Sequence, residues 1–240
     1  MLRALLPLAL VLASCRSVAD SSLLAEHEPE TPWYLIAETV EGRPLVHHAI
    51  GDGDETILFL AGVHGDERAG TPILERLVEV LKEERRHLNG RRAVVIPDAN
   101  PDGRVANTRR NANGVDINRN FPATNYHQSP GHGAYSLSEP ESRFLRSVID
   151  HYQPTAILSL HQAGNMIDYD GPAHGYAHRV ASKSPLEVRR LGARWGSMGA
   201  YYGVDLGLRI LTVELPRRAT DQEIDEAWAE WGPMLLEALR

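Results

Sequence analysis

Three short apolar runs, at residues 56–60, 155–160 and 209–215, constrain this chain more than any other feature, because reactive polar side chains stand at their ends. The first, Thr56-Ile57-Leu58-Phe59-Leu60, runs into the glycine-punctuated turn Ala61-Gly62-Val63-His64-Gly65-Asp66-Glu67. The second stops at His161, and the third carries Glu214 between Val213 and Leu215. Apolar runs of this length bounded by Gly, Pro and Asn read as buried strands. Between them lie stretches of helical spacing. Ile73, Leu74, Leu77, Val78 and Leu81 follow Pro72. Ser138-Glu139-Pro140-Glu141 combines a cap, a first-turn proline and N-terminal acids, and Ile224, Trp228, Trp231, Leu235 and Leu239 share one face. Strands alternating with helices predict a single α/β domain with a mixed, largely parallel twisted sheet flanked by helices. In such a sheet ligands bind beyond the carboxyl ends of the strands, where His64 and Glu67, His161 and Glu214 all fall.

Further strands are expected at 33–40, 45–50 and 92–97, and further helices from Pro72 to about Asn89, over 185–202 and over 221–239. Residues 98–137, rich in Asn, Gly and Pro, read as one long functional loop.

At 240 residues, with 42% hydrophobic and 24% charged residues, the chain can bury one sizeable core. A net charge of -7 argues against nucleic acid as a partner. The only cysteine, Cys15, ends the run Leu12-Ala13-Ser14-Cys15, behind Arg3 and an apolar stretch over 4–13. That stretch is too short to span a bilayer and suits a signal-peptide core. The tetrapeptide resembles a bacterial lipobox. Residues 1–15 are therefore expected to be a lipoprotein signal peptide, with Cys15 the lipidated residue, 16–31 a polar tether and 32–240 the catalytic domain. That address is the bacterial cell envelope, with the protein lipid-anchored to a membrane and facing the periplasm.

His-x-x-Glu puts an imidazole and a carboxylate on one side of a turn. Such nitrogen and oxygen donors suit Zn²⁺, which binds them at about 2.0–2.2 Å. One such pair is expected about once by chance in a chain with 11 histidines, so the rest of the sequence must decide. His161 is a natural third ligand. Glu214, a carboxylate inside an apolar strand, is costly to bury unpaired and suits a cavity or cation, where it can serve as a general base.

The long loop contributes Asn100-Pro101-Asp102-Gly103, Thr108-Arg109-Arg110-Asn111 and Gly114-Val115-Asp116-Ile117-Asn118-Arg119-Asn120-Phe121. With His-Gly-Asp-Glu, Ser-Glu-Pro-Glu, a strand-end His and Val-Glu-Leu-Pro, these occur in the order found in the zinc carboxypeptidases. The sequence resembles that family over about residues 33–240, and most resembles its small bacterial murein tripeptide amidases. The resemblance implies one zinc ion on His64, Glu67 and His161, with Glu214 as general base and proton shuttle. Asp116 would orient His64. Arg109 would polarise the scissile carbonyl, with Arg110 beside it the less favoured choice. Asn118 and Arg119 would grip a terminal carboxylate. It further implies a peptidoglycan-derived peptide as substrate, cut at the γ-D-glutamyl–meso-diaminopimelate bond. The family's mobile tyrosine has no secure match; Tyr201 or Tyr202 is the candidate. Asp168-Tyr169-Asp170-Gly171-Pro172 resembles a segment of the amidase subgroup, and its acids, Asp168 and Asp170, are candidates for the distal amino group of the substrate, against a plain solvated turn. Two rival readings are an acyl-amino-acid deacylase of the aspartoacylase type and a non-catalytic peptide-binding envelope lipoprotein.

Overall fold

The structure, a computed structural model, describes residues 37–240. Cys15, the expected signal peptide and tether, and the first part of the strand expected at 33–40 lie outside the described residues. In chain order the strands are β1 (Ala37–Glu38), β2 (Pro44–Leu45), β3 (His48–Ile50), β4 (Thr56–Leu60), β5 (Arg92–Ile96), β6 (Ala156–Gln162), β7 (Met166–Asp170), β8 (Glu187–Val188) and β9 (Arg209–Leu215). The helices are α1 (Gly70–Glu83), α2 (Pro101–Ala106), α3 (Pro140–Tyr152), α4 (His174–Ala181) and α5 (Ile224–Ala238).

β1 and β2 form a small antiparallel ribbon, and the other seven strands form one sheet in the order β3-β5-β4-β6-β9-β7-β8. Its centre, β5-β4-β6-β9, is parallel, whereas β3 and β7 run antiparallel to their inner neighbours. Strands buried on both faces explain the unbroken apolar runs of β4 and β6. Phe59, Leu158 and Leu211 join Leu74 and Leu77 of α1, Ala177 of α4, and Trp231 and Leu235 of α5 in one core. Each such large side chain contributes about 1.5–3 kcal/mol on burial. Leu58, Leu60 and Ile157 alternate to the other face and are equally buried. α1 ends at Glu83, short of the expected stop, and the left-handed Asn89 (φ 51°) and Gly90 (φ 75°) close the short 3-10 turn at Arg85–Leu88 that follows it.

The sheet bends three expectations. No helix forms over 185–202. Glu187–Val188 pairs with β7 instead, the chain then runs irregularly, and Gly199–Asp205 winds into a π-helical turn. Gly192 (φ 84°) and Gly196 (φ 58°) are left-handed there, which a continuous right-handed helix does not accommodate. The segment from Met166 is a strand, not a turn, because β9 offers it an antiparallel edge, with Asp168 opposite Thr212. The long loop is partly ordered into α2 and a 3-10 turn at Ile117–Arg119. Among the described residues, no helix is long and apolar enough to cross a membrane.

Candidate active site

β4 hands the chain to its turn through Gly62 (φ 66°), where a Cβ would stand 2.6 Å from the Asp98 carboxylate. At Gly65 the backbone passes so close to Gly103 of α2 that a Cβ would fall 2.0 Å from its carbonyl carbon. Only glycine permits both approaches. The Glu67 N–H donates to the His64 carbonyl at 3.1 Å, and this turn brings the two side chains together. The parallel register of β6 on β9 sets His161 directly beside Glu214. Three neighbouring parallel strands thus deliver their reactive residues to one edge.

His64 Nδ1 lies 2.8 Å from Glu67 Oε1, and His161 Nδ1 lies 2.7 Å from Glu67 Oε2. The two Nδ1 atoms are 3.2 Å apart. All three side chains offer a donor atom within 4.8 Å of the others. A tetrahedral zinc site with bonds of about 2.0–2.1 Å has ligand–ligand edges near ~3.3 Å, so the trio fits the ion. The outer nitrogens fit too: His64 Nε2 is 3.2 Å from Asp116 Oδ1, and His161 Nε2 is 2.9 Å from Ser159 Oγ. Such partners turn the inner nitrogens toward a metal.

The electrostatics are those of a compact ion cluster. Burial alone would pull the His64 imidazole down, but the Asp116 and Glu67 carboxylates outweigh it and raise it above its ordinary value. Burial pushes Glu67 up, yet His161 and His64 hold it far below the usual carboxylate range. Asp116 is held low against burial by His64, then by Arg109 and Arg119. Its Oδ1 also accepts the Asn118 N–H at 3.0 Å, and its Oδ2 accepts Arg109 Nε–H at 3.1 Å. Arg109 also reaches Glu67 Oε1 at 3.4 Å.

A cavity of about 210 Å³ opens beside this cluster, lined by His64, Arg109, Asn118, Arg119, His161, Asp168, Asp170 and Glu214 among others. Glu214 accepts the Gly164 N–H at 3.2 Å. Asn118 Oδ1 accepts the Met198 N–H at 2.9 Å, pinning the irregular 192–198 segment as the cavity wall. Burial lowers Arg119 from its ordinary value, and it donates to the Asn118 carbonyl at 2.6 Å. Tyr201 stands elsewhere: the Arg146 guanidinium lies 5.5 Å above its ring, and it does not line this cavity. Tyr202 is buried edge-on against Phe121, with ring centres 5.9 Å apart. Neither tyrosine is among the residues that line the cavity.

One residue escaped the sequence. Ser159, behind His161, was legible only as a strand residue two positions away and therefore on the same face. Asp170, expected with Asp168 to face a distal amino group, shares a face of β7 with it by the same alternation, and both line the cavity. Burial, then the neighbouring Asp168, pushes Asp170 up to about 6.

Comparison with known proteins gives a consistent result. The family profile described as zinc carboxypeptidase matches residues 21–192. Murein peptide amidase A of Escherichia coli K12 is 33% identical over 205 aligned residues, covering 75% of this chain and 80% of the relative. The human carboxypeptidase N catalytic chain is 34% identical over 187, covering 61% of this chain and 41% of its own length. The crystal structure of murein-tripeptide amidase MpaA from Escherichia coli O157 superposes with a TM-score of 0.68 at 28% identity, covering 85% of this chain and 88% of that one. Carboxypeptidase A from Helicoverpa armigera, at 21% identity, shares the fold with a TM-score of 0.69, covering 84% of this chain and 66% of its own.

Proposed function

Because this chain belongs to the zinc carboxypeptidase family, a family of hydrolases, we propose that it is an amidase acting on peptidoglycan stem peptides. The bond cut is the one joining γ-D-glutamate to meso-diaminopimelate. One observation carries the reading: His64 and His161 of the donor trio, with Glu214, border a cavity that has cationic walls at Arg109 and Arg119 and acidic walls at Asp168 and Asp170. A substrate residue with both a free carboxylate and an additional amine matches those walls. The likeness to murein peptide amidase A over most of the chain supports the same substrate class.

His64, Glu67 and His161 would hold zinc, which when bound supplies a Lewis acid that activates water and polarises a carbonyl. Glu214, steadied on one side by the Gly164 N–H, takes a proton from the attacking water as the new C–O bond forms. It returns that proton to the amide nitrogen as the C–N bond breaks, so the amine leaves neutral. Arg109, at the cavity rim, meets the negative charge that collects on the former carbonyl oxygen. Asn118 and Arg119 bind the terminal carboxylate, for which a planar guanidinium fork is suited. Asp116 keeps the His64 ring oriented.

The full-length, zinc-loaded protein incubated with L-Ala-γ-D-Glu-meso-diaminopimelate should release free diaminopimelate, and Glu214→Gln should stop it. Release of ordinary C-terminal L-residues alone overturns the substrate. The leader-like residues 1–15 support a lipid anchor on Cys15 and a periplasm-facing envelope address. Labelled fatty acid should enter the wild-type chain and not Cys15→Ser; equal labelling overturns the anchor.

A further inference from the structure

We infer, resting on the peptidase reading above, that a second cavity beside Arg119 is a subsite for one more amino acid, joined by an amide to the distal carboxyl of the leaving residue. The better substrate is then a stem tetrapeptide. This second cavity, of about 350 Å³, is lined by Arg119, His132, Ala193, Arg194 and Trp195. Arg119, Ala193 and Arg194 also line the catalytic cavity, so the two spaces share a wall. Neither the zinc donors nor Glu214 line the second one. It lies on the side of the leaving residue, whose carboxylate Arg119 binds.

The charge of this second cavity is not neutralised inside the protein. Arg109 and Arg119 both act on Asp116, whereas the Arg194 guanidinium pairs with no carboxylate among the described residues. Burial lowers Arg119, Asp116 opposes that, and Arg109 and Arg194 lower it further. A substrate carboxylate on Arg119 therefore leaves Arg194 for a second anion. Beside it Trp195 is 62% exposed, its ring edge-on to His127 with centres 5.8 Å apart. His132 is tied to the same loop, its Nδ1–H donating to the His127 carbonyl at 2.7 Å. An exposed indole next to an unpaired guanidinium suits a small apolar side chain and a carboxylate, the two ends of a C-terminal alanine. The volume also exceeds what one carboxylate fills. Meso-diaminopimelate has two carboxyl groups, and the distal one is where a stem peptide continues. Its arm can run along the 191–194 strip, which Asp168 Oδ1 ties to β7 by accepting the Leu191 N–H at 2.8 Å.

Full-length, zinc-loaded protein should cut L-Ala-γ-D-Glu-meso-diaminopimelyl-D-Ala at the same γ-D-glutamyl bond. The product is the diaminopimelyl-D-alanine dipeptide, its own amide bond intact. Its kcat/KM should exceed that of the tripeptide by about 10-fold, chiefly through KM, as expected of one additional charged hydrogen bond. A tetrapeptide ending in a carboxamide should lose that gain. Arg194→Gln and Trp195→Ala should lose it too, read as the ratio of the two peptides within each variant, so that a change in folded fraction cancels. Calorimetric binding of the free dipeptide against free diaminopimelate reads the same difference without turnover. A tetrapeptide cut no better than the tripeptide, or a gain that survives the carboxamide and both substitutions, overturns the subsite and leaves the peptidase reading standing. Tighter binding of the dipeptide that both variants lose, with neither peptide cut, supports the subsite and overturns the peptidase reading.

Discussion

His64 and His161 point their Nδ1 atoms at each other across 3.2 Å, with Glu67 bridging both. Two imidazole nitrogens in that position need a proton or a cation between them and the carboxylate. Metal binding replaces those protons and is linked to folding. Zinc at about 100 times its Kd should therefore stabilise the native state by about 2.7 kcal/mol, a rise in Tm of roughly 5–10 °C for a domain of this size. His161→Ala should abolish the shift in a melting experiment with and without zinc.

The outer nitrogens predict a subtler loss. Ser159→Ala or Asp116→Asn leaves all three donors in place but frees an imidazole ring to turn. Zinc affinity, measured by competition with a chelating dye, should fall about 10- to 100-fold in each. Unchanged affinity would mean that packing alone orients the rings.

Glu214 sits beside the donor trio without belonging to it. Glu214→Gln should keep full zinc content by metal analysis while kcat falls about 10²- to 10⁴-fold, the usual worth of a proton shuttle. Loss of the metal together with activity would move Glu214 from the chemistry to the site's framework.

Asp170 makes stability depend on pH. Its native pKa, pushed up to about 6, lies above the ordinary carboxylate value of 3.8, so the folded state holds the proton more tightly than the unfolded chain does. That stabilisation is complete below the unfolded pKa and is lost as pH rises through about 6. Asp170→Asn, which never ionises, should be more stable than wild type at pH 8 by on the order of 2 kcal/mol. The gap should close toward pH 4. Paired thermal melts across that range check the sign.

Much of the site was legible because it is local or motif-bound. His64 and Glu67 share one turn, and Asp116, Asn118 and Arg119 share another, so their spacing carried over directly to the structure. Glu214 was legible as a charge that an apolar strand cannot bury unpaired. Residues 185–202 were misread because apolar spacing there suggests a helix, while the left-handed Gly192 and Gly196 and the pairing of β8 with β7 override it. The π-helical turn sets the ring of Tyr201, the candidate mobile tyrosine, under the Arg146 guanidinium.

By itself the sequence determined the family, the strand–helix alternation and the donor types, because apolar periodicity, glycine turns and ligand chemistry act over a few residues. Only the tertiary structure decided which acid in the cavity accepts hydrogen bonds from the described residues and which does not. β7 is a strand only because β9 offers it an edge, and Asp168 is spent only because the folded 189–192 strip brings the Leu191 N–H to it. Burial, pairing and the room left by Gly199 and Gly203 are properties of residues far apart in the chain, and no local pattern contains them.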